Sequence, residues 1–275
     1  MTEKEEVSSQ DKLIQAVTRL ERLLSNQSGS SGQIVEPADT DAVIAAATTL
    51  IHANPSKIVK RWLGTSSGTA SKVTLVDIAH VAKTKLNPMS TNATGRDLLM
   101  QLSPTPEDME MEMLTDETET EPKYLEAAAN EVESYLLSLA IRLLFRANEA
   151  QKALDLSVNA IKITSLAMEE ASKSTFGVGS GSGLYPLLSR LYRFQSLVAE
   201  RCAPGFHLEH SKRGELVNVH RRAVIRKDVD TQAAVLNIML RDLLNANQGE
   251  NDDAFFILFV TYIFHAVLTC ICFMI

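Results

Sequence analysis

The sequence has few of the residues on which several common functions depend. Only three of its 275 residues are cysteine, one is tryptophan, and aromatic residues make up 5% of the chain. Cys202 stands alone, and Cys270 and Cys272 lie in one apolar stretch, so we expect no disulfide framework and a reducing compartment. The net charge of −7 argues against nucleic-acid binding. Residues 1–10 are acidic and polar, so no signal peptide is expected.

Recognisable catalytic and ligand-binding motifs are also lacking. The glycine-rich stretch Ser172–Gly183 has no strand before it and no Lys-Ser/Thr after it, so it is interpreted as a flexible insertion and not as a phosphate-binding loop. One group of histidine, cysteine and glutamate residues fits no common zinc spacing: His207, His210, His220, Cys202, Glu209 and Glu215. If Cys270 and Cys272 lie in a helix, they point about 200° apart and cannot chelate together. We therefore expect no enzyme, and no catalytic, cofactor-binding or metal residues.

Helical periodicity dominates the stretch from Leu184 to Asn247. Pro204-Gly205 separates its first helix from the second, and Asp228 and Asp230 can accept from free backbone N–H groups where the third begins. Each segment has one apolar stripe, and such helices are stable when stacked side by side. The three stripes are Leu184, Leu187, Leu188, Leu191 and Val198; Leu216, Val217, His220, Ala223 and Val224; and Ala233, Leu236, Leu240, Leu243 and Leu244.

A second helical region precedes this stretch. The polar break Arg146–Asn148 separates two helices, which should fold back as an antiparallel pair. Small residues at Ala150 and Ala153 would let the paired helices approach closely, as in a tetratricopeptide-type repeat. The sequence therefore predicts an all-α fold of antiparallel helix pairs, stacked as a tetratricopeptide-like α-solenoid. The two stripes are Val132, Tyr135, Leu136, Leu139 and Leu143; and Ala150, Leu154, Val158 and Ile161.

The remaining sequence divides the chain into five regions. Asp11–Leu24 should form a short amphipathic helix, a surface helix or a coiled-coil-like partner contact, and Asp41–Leu63, Leu75–Leu86 and Gly95–Leu102 carry further helical patterns. The acidic tract 103–122 is interpreted as a solvated linker, with docking to a basic partner as the alternative. The expected regions are 1–40, a short helix plus disordered linker; 41–102, a small helical region; 103–122, an acidic disordered linker; 123–247, the helical repeats; and 254–275, an apolar tail.

The apolar tail Ala254–Ile275 contains 22 residues and no charged side chain. As a helix it is long enough to span a bilayer, although no Lys or Arg flanks it. The alternative is a translated intron, because Gln248-Gly249-Glu250 can be encoded by a sequence that resembles a splice donor. Both interpretations remain open at this stage, and a membrane partner is expected only if the tail is genuine.

One segment carries a family resemblance. Arg226–Leu244 resembles a hallmark segment of the proteasome non-ATPase regulatory subunit 3 family, lid components of the 26S regulatory particle. Tyr135-Leu136-Leu137 and Glu149–Lys152 are similar to the upstream helix pair of that family, so the resemblance covers about Tyr124 to Asn247. The matching residues of the hallmark segment are Arg226, Asp228, Asp230, Gln232, Ala233, Leu236, Asn237, Leu240, Arg241 and Leu244.

The resemblance implies a scaffold without catalysis, located in the cytoplasm and nucleus, with the other lid subunits as its partners. It also implies a helical-repeat arm followed by a winged-helix PCI domain, whereas the sequence after Asn247 runs into the apolar tail. This chain is therefore expected to be a truncated N-terminal portion without that domain. The alternative function is a tail-anchored membrane protein that presents a helical-repeat domain to the cytosol.

Two groups of polar residues in the array remain to be placed. One is a set of cations that favours an acidic protein neighbour over nucleic acid, because no stacking aromatics are interleaved with it. Those residues are Arg190, Arg193, Arg201, Arg221, Arg222, Arg226 and Lys227. The other group is Gln232, Asn237 and Arg241. We expect Asn237 to bond the preceding helix and Arg241 to pair with an acid, because unpaired buried amides are costly.

Overall fold

A computed structural model describes most of the helical sequence. The described ranges are 8–28, 55–66, 73–88, 93–102, 124–125, 128–173, 182–203 and 210–246. Within them every regular element is helical and no strand occurs, which confirms the predicted all-α class. Several predicted segments lie outside these ranges: residues 29–40 of the linker, residues 41–54 of the helix expected over Asp41–Leu63, the acidic linker 103–122 and the tail 254–275.

Nine α-helices and one short 3₁₀ turn make up the described part of the chain. α5–α9 occupy the region in which helical repeats are predicted, and α1–α4 precede it. Their bounds are α1 Ser9–Ser28, α2 Pro55–Ser66, α3 Leu75–Lys85, α4 Ala93–Gln101, α5 Ala129–Arg146, α6 Ala150–Lys173, the 3₁₀ turn Ser182–Leu184, α7 Tyr185–Cys202, α8 His210–Ile225 and α9 Val229–Ala246.

The five helices α5–α9 form a stacked array. α5, α7 and α9 lie side by side, α6 packs against both α5 and α7, and α8 packs against α9. Each helix thus contacts the next helix or the next but one, as in tetratricopeptide-type solenoids. This arrangement confirms the predicted antiparallel pairing across Arg146–Asn148, where the chain turns at Ala147 and Asn148.

The core of the molecule surrounds α5. Every residue from Val132 to Ile141 is buried, because α1, α3, α4, α6 and α7 all pack against this helix. The predicted stripe of α5 is buried except at its end, where Leu143 is half-buried. The predicted stripe of α7 is buried throughout: Leu184, Leu187, Leu188, Leu191 and Val198.

The helices α1–α4 pack against the start of this array. Trp62 of α2 donates its indole N–H to the Ala16 carbonyl of α1 at 2.9 Å, and its ring meets the edge of Tyr135 with centroids 4.5 Å apart. Glu21 of α1 accepts from the backbone N–H of Ala128 at 2.7 Å and so supplies a cap that α5 lacks locally. α1 is therefore integrated with the array through both packing and hydrogen bonds.

The predicted core stripe of α6 lies about a quarter turn from the buried face, although Ala153, predicted at the close approach, is buried. Of the predicted stripe, Val158 is 50% exposed, and Ala150, Leu154 and Ile161 are only half-buried. The buried face carries smaller side chains, because α6 lies between α5 and α7 and both must approach it closely. Ser134 and Thr164 share a hydrogen bond of 2.9 Å across the α5–α6 contact. The buried residues of α6 are Ala153, Leu156, Ser157, Ala160, Thr164, Ala167 and Met168.

The predicted face of α9 is also wrong. Ala233 is exposed, and Leu236 and Leu240 are half-buried, so the predicted core stripe lies away from α7 and α8. The packed face has smaller or polar side chains: Thr231, Ala234, Val235 and Asp242, with Ile238 and Met239 partly buried against the core. The side chains of Leu243 and Leu244 lie outside the described set.

Two further observations concern the glycine-rich stretch and the possibility of a membrane span. The stretch Ser172–Gly183 was interpreted as a flexible insertion, but α6 continues to Lys173, and the 3₁₀ turn Ser182–Leu184 is buried. No helix in the described ranges is long and apolar enough to cross a membrane.

Candidate protein-interaction surface

The α8–α9 turn forms a sharp, well-defined corner. Lys227 adopts the left-handed conformation with φ 57°, and the next N–H, that of Asp228, donates to the Ala223 carbonyl at 2.9 Å. This is the bond that closes a helix through a left-handed residue just past its C-terminus. The corner therefore holds α8 and α9 in a fixed relation.

Asp228 caps the start of α9 from a buried position. Its Oδ1 accepts from the backbone N–H of Thr231 at 3.0 Å, which confirms the predicted cap. The residue is 2% exposed, and burial raises the pKa of its carboxyl above the ordinary value. Asp230, the other predicted cap, instead pairs with Lys60 of α2 at 2.6 Å and ties α9 to the N-terminal helices.

Polar side chains join α9 to its neighbours. Gln232 donates to the Ala223 carbonyl of α8 at 3.2 Å, and Arg241 pairs with Glu200 of α7, which confirms the expected acid partner. Asn237 is exposed, so the expectation that it bonds the preceding helix is wrong. Its position on the outer face of α9 follows from the reassigned register of this helix.

The ion pair between Arg213 and Asp242 was missed by sequence reasoning. Arg213 Nε donates to Asp242 Oδ2 at 2.7 Å and so joins α8 to α9. Asp242 is buried in the structure. In the sequence it stands next to the predicted apolar stripe of α9, which gives no sign of that burial. The spacing Thr231, Ala234, Val235, Ile238, Asp242 would have revealed this face, but only with small and polar residues admitted as core residues.

A small cleft lies at the junction of α6, α7, α8 and α9. It encloses about 70 Å³ and is lined by Met168, Tyr192, Arg222 and Thr231 among others. Burial raises the pKa of Tyr192, which lines this cleft, to about 12. The cleft is much smaller than the roughly 300–1,000 Å³ that is usual for small-molecule sites.

The surface of the corner combines cations with an exposed apolar side chain. Arg221, Arg222 and Lys227 are exposed, and Ile225 among them is 81% exposed. Arg222 is partly engaged by Glu169 of α6 at 3.4 Å. We call this surface, residues 221–227, the basic corner. Cations around an apolar side chain complement an acidic protein segment that carries an apolar residue of its own.

The sequence grouped Arg190, Arg193 and Arg201 of α7 with these cations. The Arg190 guanidinium instead lies 5.9 Å from the Phe194 ring centroid, and its electrostatic neighbours are Tyr135 and Arg142 of α5. Burial lowers the pKa of Arg190, which is thus part of the α5–α7 contact and not of the basic corner. Arg193 and Arg201 are exposed on α7.

The comparison with protein families identifies what this array is. A family model described as "PSMD3-like, N-terminal TPR repeats" matches residues 38–258. The chain belongs to the PSMD3-like family. This is a family of proteasome subunits, non-ATPase components of the regulatory particle, built on helical repeats. The match begins well before Tyr124 and continues past Asn247, so it is longer than the resemblance seen in the sequence.

The other two comparisons add no relative. No curated protein and no solved structure gives a significant match to the chain. The family is therefore established by the match over residues 38–258, which includes every described helix from α2 to α9.

The candidate metal residues of this PSMD3-like chain are dispersed or undescribed. His220 is half-buried, and burial lowers its pKa, while Glu215 is exposed and Cys202 is half-buried. His207, Glu209 and the side chain of His210 lie outside the described set. Among the described residues, no group of three or more His, Cys, Asp or Glu side chains could hold a metal ion.

Sequence reasoning also missed Glu131 in the first turn of α5. Its carboxylate lies over the 3₁₀ turn, so close that a Cβ added to Gly183 would be 2.5 Å from Glu131 Oε1. Burial is the main cause that raises the pKa of Glu131 to about 7, and the charge of Glu21 adds to the rise. An acid in a first helical turn usually faces solvent and favours the helix dipole, so the sequence carries no signal of its burial.

Proposed function

We propose that this PSMD3-like chain acts as a non-catalytic scaffold in the lid of the proteasome regulatory particle, and thereby supports ubiquitin-dependent protein degradation. The family match across α2–α9 is the observation that carries this proposal. The stacked array supports it, because a solenoid of paired helices offers a long, rigid surface for neighbouring subunits. The proposed partners are the other lid subunits, and the proposed location is the cytoplasm and nucleus.

The polar ties of α9 suit a scaffold. Three ion pairs join α9 to α2, α8 and α7: Lys60–Asp230, Arg213–Asp242 and Arg241–Glu200. Partly exposed ion pairs contribute little stability individually, but they fix the orientation of one helix against the next. A fixed orientation is what a protein needs if it must hold several partners in register.

The direct test is affinity capture of the tagged chain under native conditions, followed by mass spectrometry and sedimentation analysis. We expect proteasome lid and ATPase-ring subunits to co-purify with it and to sediment together as a large particle. Recovery of the chain as a free monomer, with no proteasome subunit enriched over an untagged control, would contradict the proposal.

The basic corner supports a more specific proposal, that this surface contacts an acidic region of a neighbouring subunit. The test variant is Lys227→Glu combined with Arg221→Glu, because both side chains are exposed. Lys152→Glu combined with Lys162→Glu is the matched control, with the same charge change on exposed positions of α6. We expect the first pair to reduce capture of lid subunits and the second pair to leave it unchanged; equal effects would contradict the proposed contact.

A further inference from the structure

The outer face of α9 carries an apolar stripe of its own. Val229, Ala233, Leu236 and Leu240 recur at intervals of four, three and four residues, so they lie within about 60° of one another around the helix. The packed face, with Ala234 and Val235 buried, points in roughly the opposite direction. α9 is thus apolar on two opposite sides, although within the described ranges neighbours pack on only one of them.

This second stripe is accessible. Val229 is 67% exposed, Ala233 is exposed, and Leu236 and Leu240 are half-buried. A helix at the surface of a globular protein normally has one apolar stripe, and a second stripe on the opposite side is typical of a helix covered by elements on both sides. The outer face of α9 therefore has the character of a covered surface.

The sequence supplies a segment suited to cover it. Residues 254–275 contain no charged side chain, and only the seven residues 247–253 separate this segment from the end of α9 at Ala246. Connections of two to eight residues commonly join antiparallel helices. As a helix, the 22 residues would be about 33 Å long, against about 27 Å for the 18 residues of α9. Asp253 immediately precedes the segment and is a favourable helix N-cap.

We propose that residues 254–275 fold back as a helix and pack on the outer face of α9. This contact buries the stripe Val229, Ala233, Leu236 and Leu240 within the same chain. It also removes from water a segment that would otherwise need a membrane or a second molecule. The contact extends the array by one helix and does not depend on the proposed role in the proteasome.

With Glu250 as the centre of the connection, the fold-back gives a register between α9 and residues 254–275 that can be tested. Val229 lies 21 residues before Glu250, the centre of the connection, and Ile271 lies 21 residues after it. An antiparallel helix therefore brings Val229 opposite Ile271, between Cys270 and Cys272. In the same register Ala233, Leu236 and Leu240 face Val267, Phe264 and Val260, all of which are apolar. Cys270 and Cys272 flank this position and, in a helix, point about 100° to either side of it, so the reporter is Ile271→Cys in a chain without native cysteines.

The experiment uses the full-length chain with Cys202, Cys270 and Cys272 changed to serine and Ile271→Cys introduced, so that position 271 carries the single thiol of the segment. Val229→Cys is introduced, the sample is oxidised at low protein concentration, and the linked peptides are identified by mass spectrometry in the monomer band. Val158→Cys is the matched control, since Val158 is 50% exposed on α6. We expect at least several-fold more linkage to position 271 from Val229→Cys than from Val158→Cys.

Other outcomes would overturn the proposal. Linkage confined to the dimer band would show that a second copy covers α9, and equal linkage from both variants would show no defined register. A lack of linkage together with flotation of the chain on phosphatidylcholine vesicles would assign the segment to a membrane.

A second measurement does not depend on disulfide geometry. Leu240→Cys, with all native cysteines changed to serine, is labelled with maleimide in the full chain and in a variant ending at Asp253. We expect several-fold faster labelling in the shortened variant, because its α9 face is uncovered. Equal labelling rates would contradict the proposal.

Discussion

The α5–α6 and α8–α9 turns have the same backbone geometry in different surroundings. Asn148 and Lys227 both adopt left-handed conformations, with φ 64° and 57°. In each turn the following N–H donates to a carbonyl five residues earlier, at 2.9 Å from Glu149 to Leu144 and at 2.9 Å from Asp228 to Ala223. Because Glu149 is exposed and Asp228 is buried, one hydrogen-bond pattern connects a solvated turn and an integrated one.

The helices that these turns join differ more strongly. α5 is enclosed by neighbours over ten consecutive residues, whereas α9 is packed on one face and open on the other within the described ranges. Turn geometry is therefore a local property of a few residues, while burial depends on the position of a helix in the stack. The predictions below test this separation, in order of expected effect.

The largest expected difference is between core leucines of α5 and leucines on the outer face of α9. Leu137→Ala should destabilise the protein by about 2–5 kcal/mol, through lost transfer free energy and the cavity left behind. Leu240→Ala, at a half-buried position, should cost less than about 1 kcal/mol in a variant ending at Asp253. Urea unfolding followed by circular dichroism measures both. Similar losses for the two variants would show that α9 is enclosed as fully as α5.

The second prediction uses Glu131, the acid in the first turn of α5. The pKa of Glu131 is about 7 in the folded protein and 4.5 in the reference state, so the folded protein binds this proton more tightly than the unfolded chain. Its stabilisation is fully present below pH 4.5 and is lost as pH rises to 7, by about 3 kcal/mol at 1.36 kcal/mol per pKa unit.

Glu131→Gln should remove this part of the pH dependence and make the variant more stable than the parent at pH 8. Urea unfolding at a series of pH values tests this. Glu149→Gln is the control, because Glu149 is exposed. Parallel stability profiles for the parent and Glu131→Gln would contradict the assignment.

The caps of the two turns give the third prediction. Asp228→Ala should cost about 1–2 kcal/mol, because it leaves the Thr231 N–H without its acceptor at the buried start of α9. Asp228→Asn keeps an acceptor and should retain most of the stability. Glu149→Ala, at the exposed start of α6, should change stability by only a few tenths of a kcal/mol. Thermal unfolding of the three variants decides, and equal losses at the two turns would refute the contrast.

The difference between local turn geometry and burial in the stack explains what the sequence could and could not predict. The polar break at Arg146–Asn148 and the cap Asp228 are local features, and both were predicted correctly. The stripe of α5 was also predicted, because a helix enclosed on all sides has its large aliphatic residues in the core whichever face is chosen.

The faces of α6 and α9 could not be predicted from apolar size. α6 approaches α5 and α7 closely through Ala153, Ala160 and Thr164, and its larger Val158 points outwards. Close approach selects small side chains, whereas a search for large apolar residues selects a different face. The raised pKa of Glu131 and the Arg213–Asp242 pair depend on residues far apart in sequence, which no local pattern brings together.

The smallest expected effect concerns the left-handed residues themselves. A residue with a Cβ is disfavoured in this conformation by roughly 1–2 kcal/mol, and glycine is not, although glycine loses more backbone entropy on folding. Lys227→Gly should therefore stabilise the protein by about 0.5–1 kcal/mol. Asn148→Gly should change stability by only a few tenths of a kcal/mol, because asparagine tolerates the left-handed region better than lysine.

Lys227→Ala controls for the lost charge, since it removes the ammonium group but keeps the Cβ. Urea unfolding of the three variants, measured side by side, tests this difference between the two turns. If Lys227→Gly and Lys227→Ala changed stability equally, the backbone conformation would not be the cause; if Asn148→Gly gained as much as Lys227→Gly, the two turns would carry the same strain.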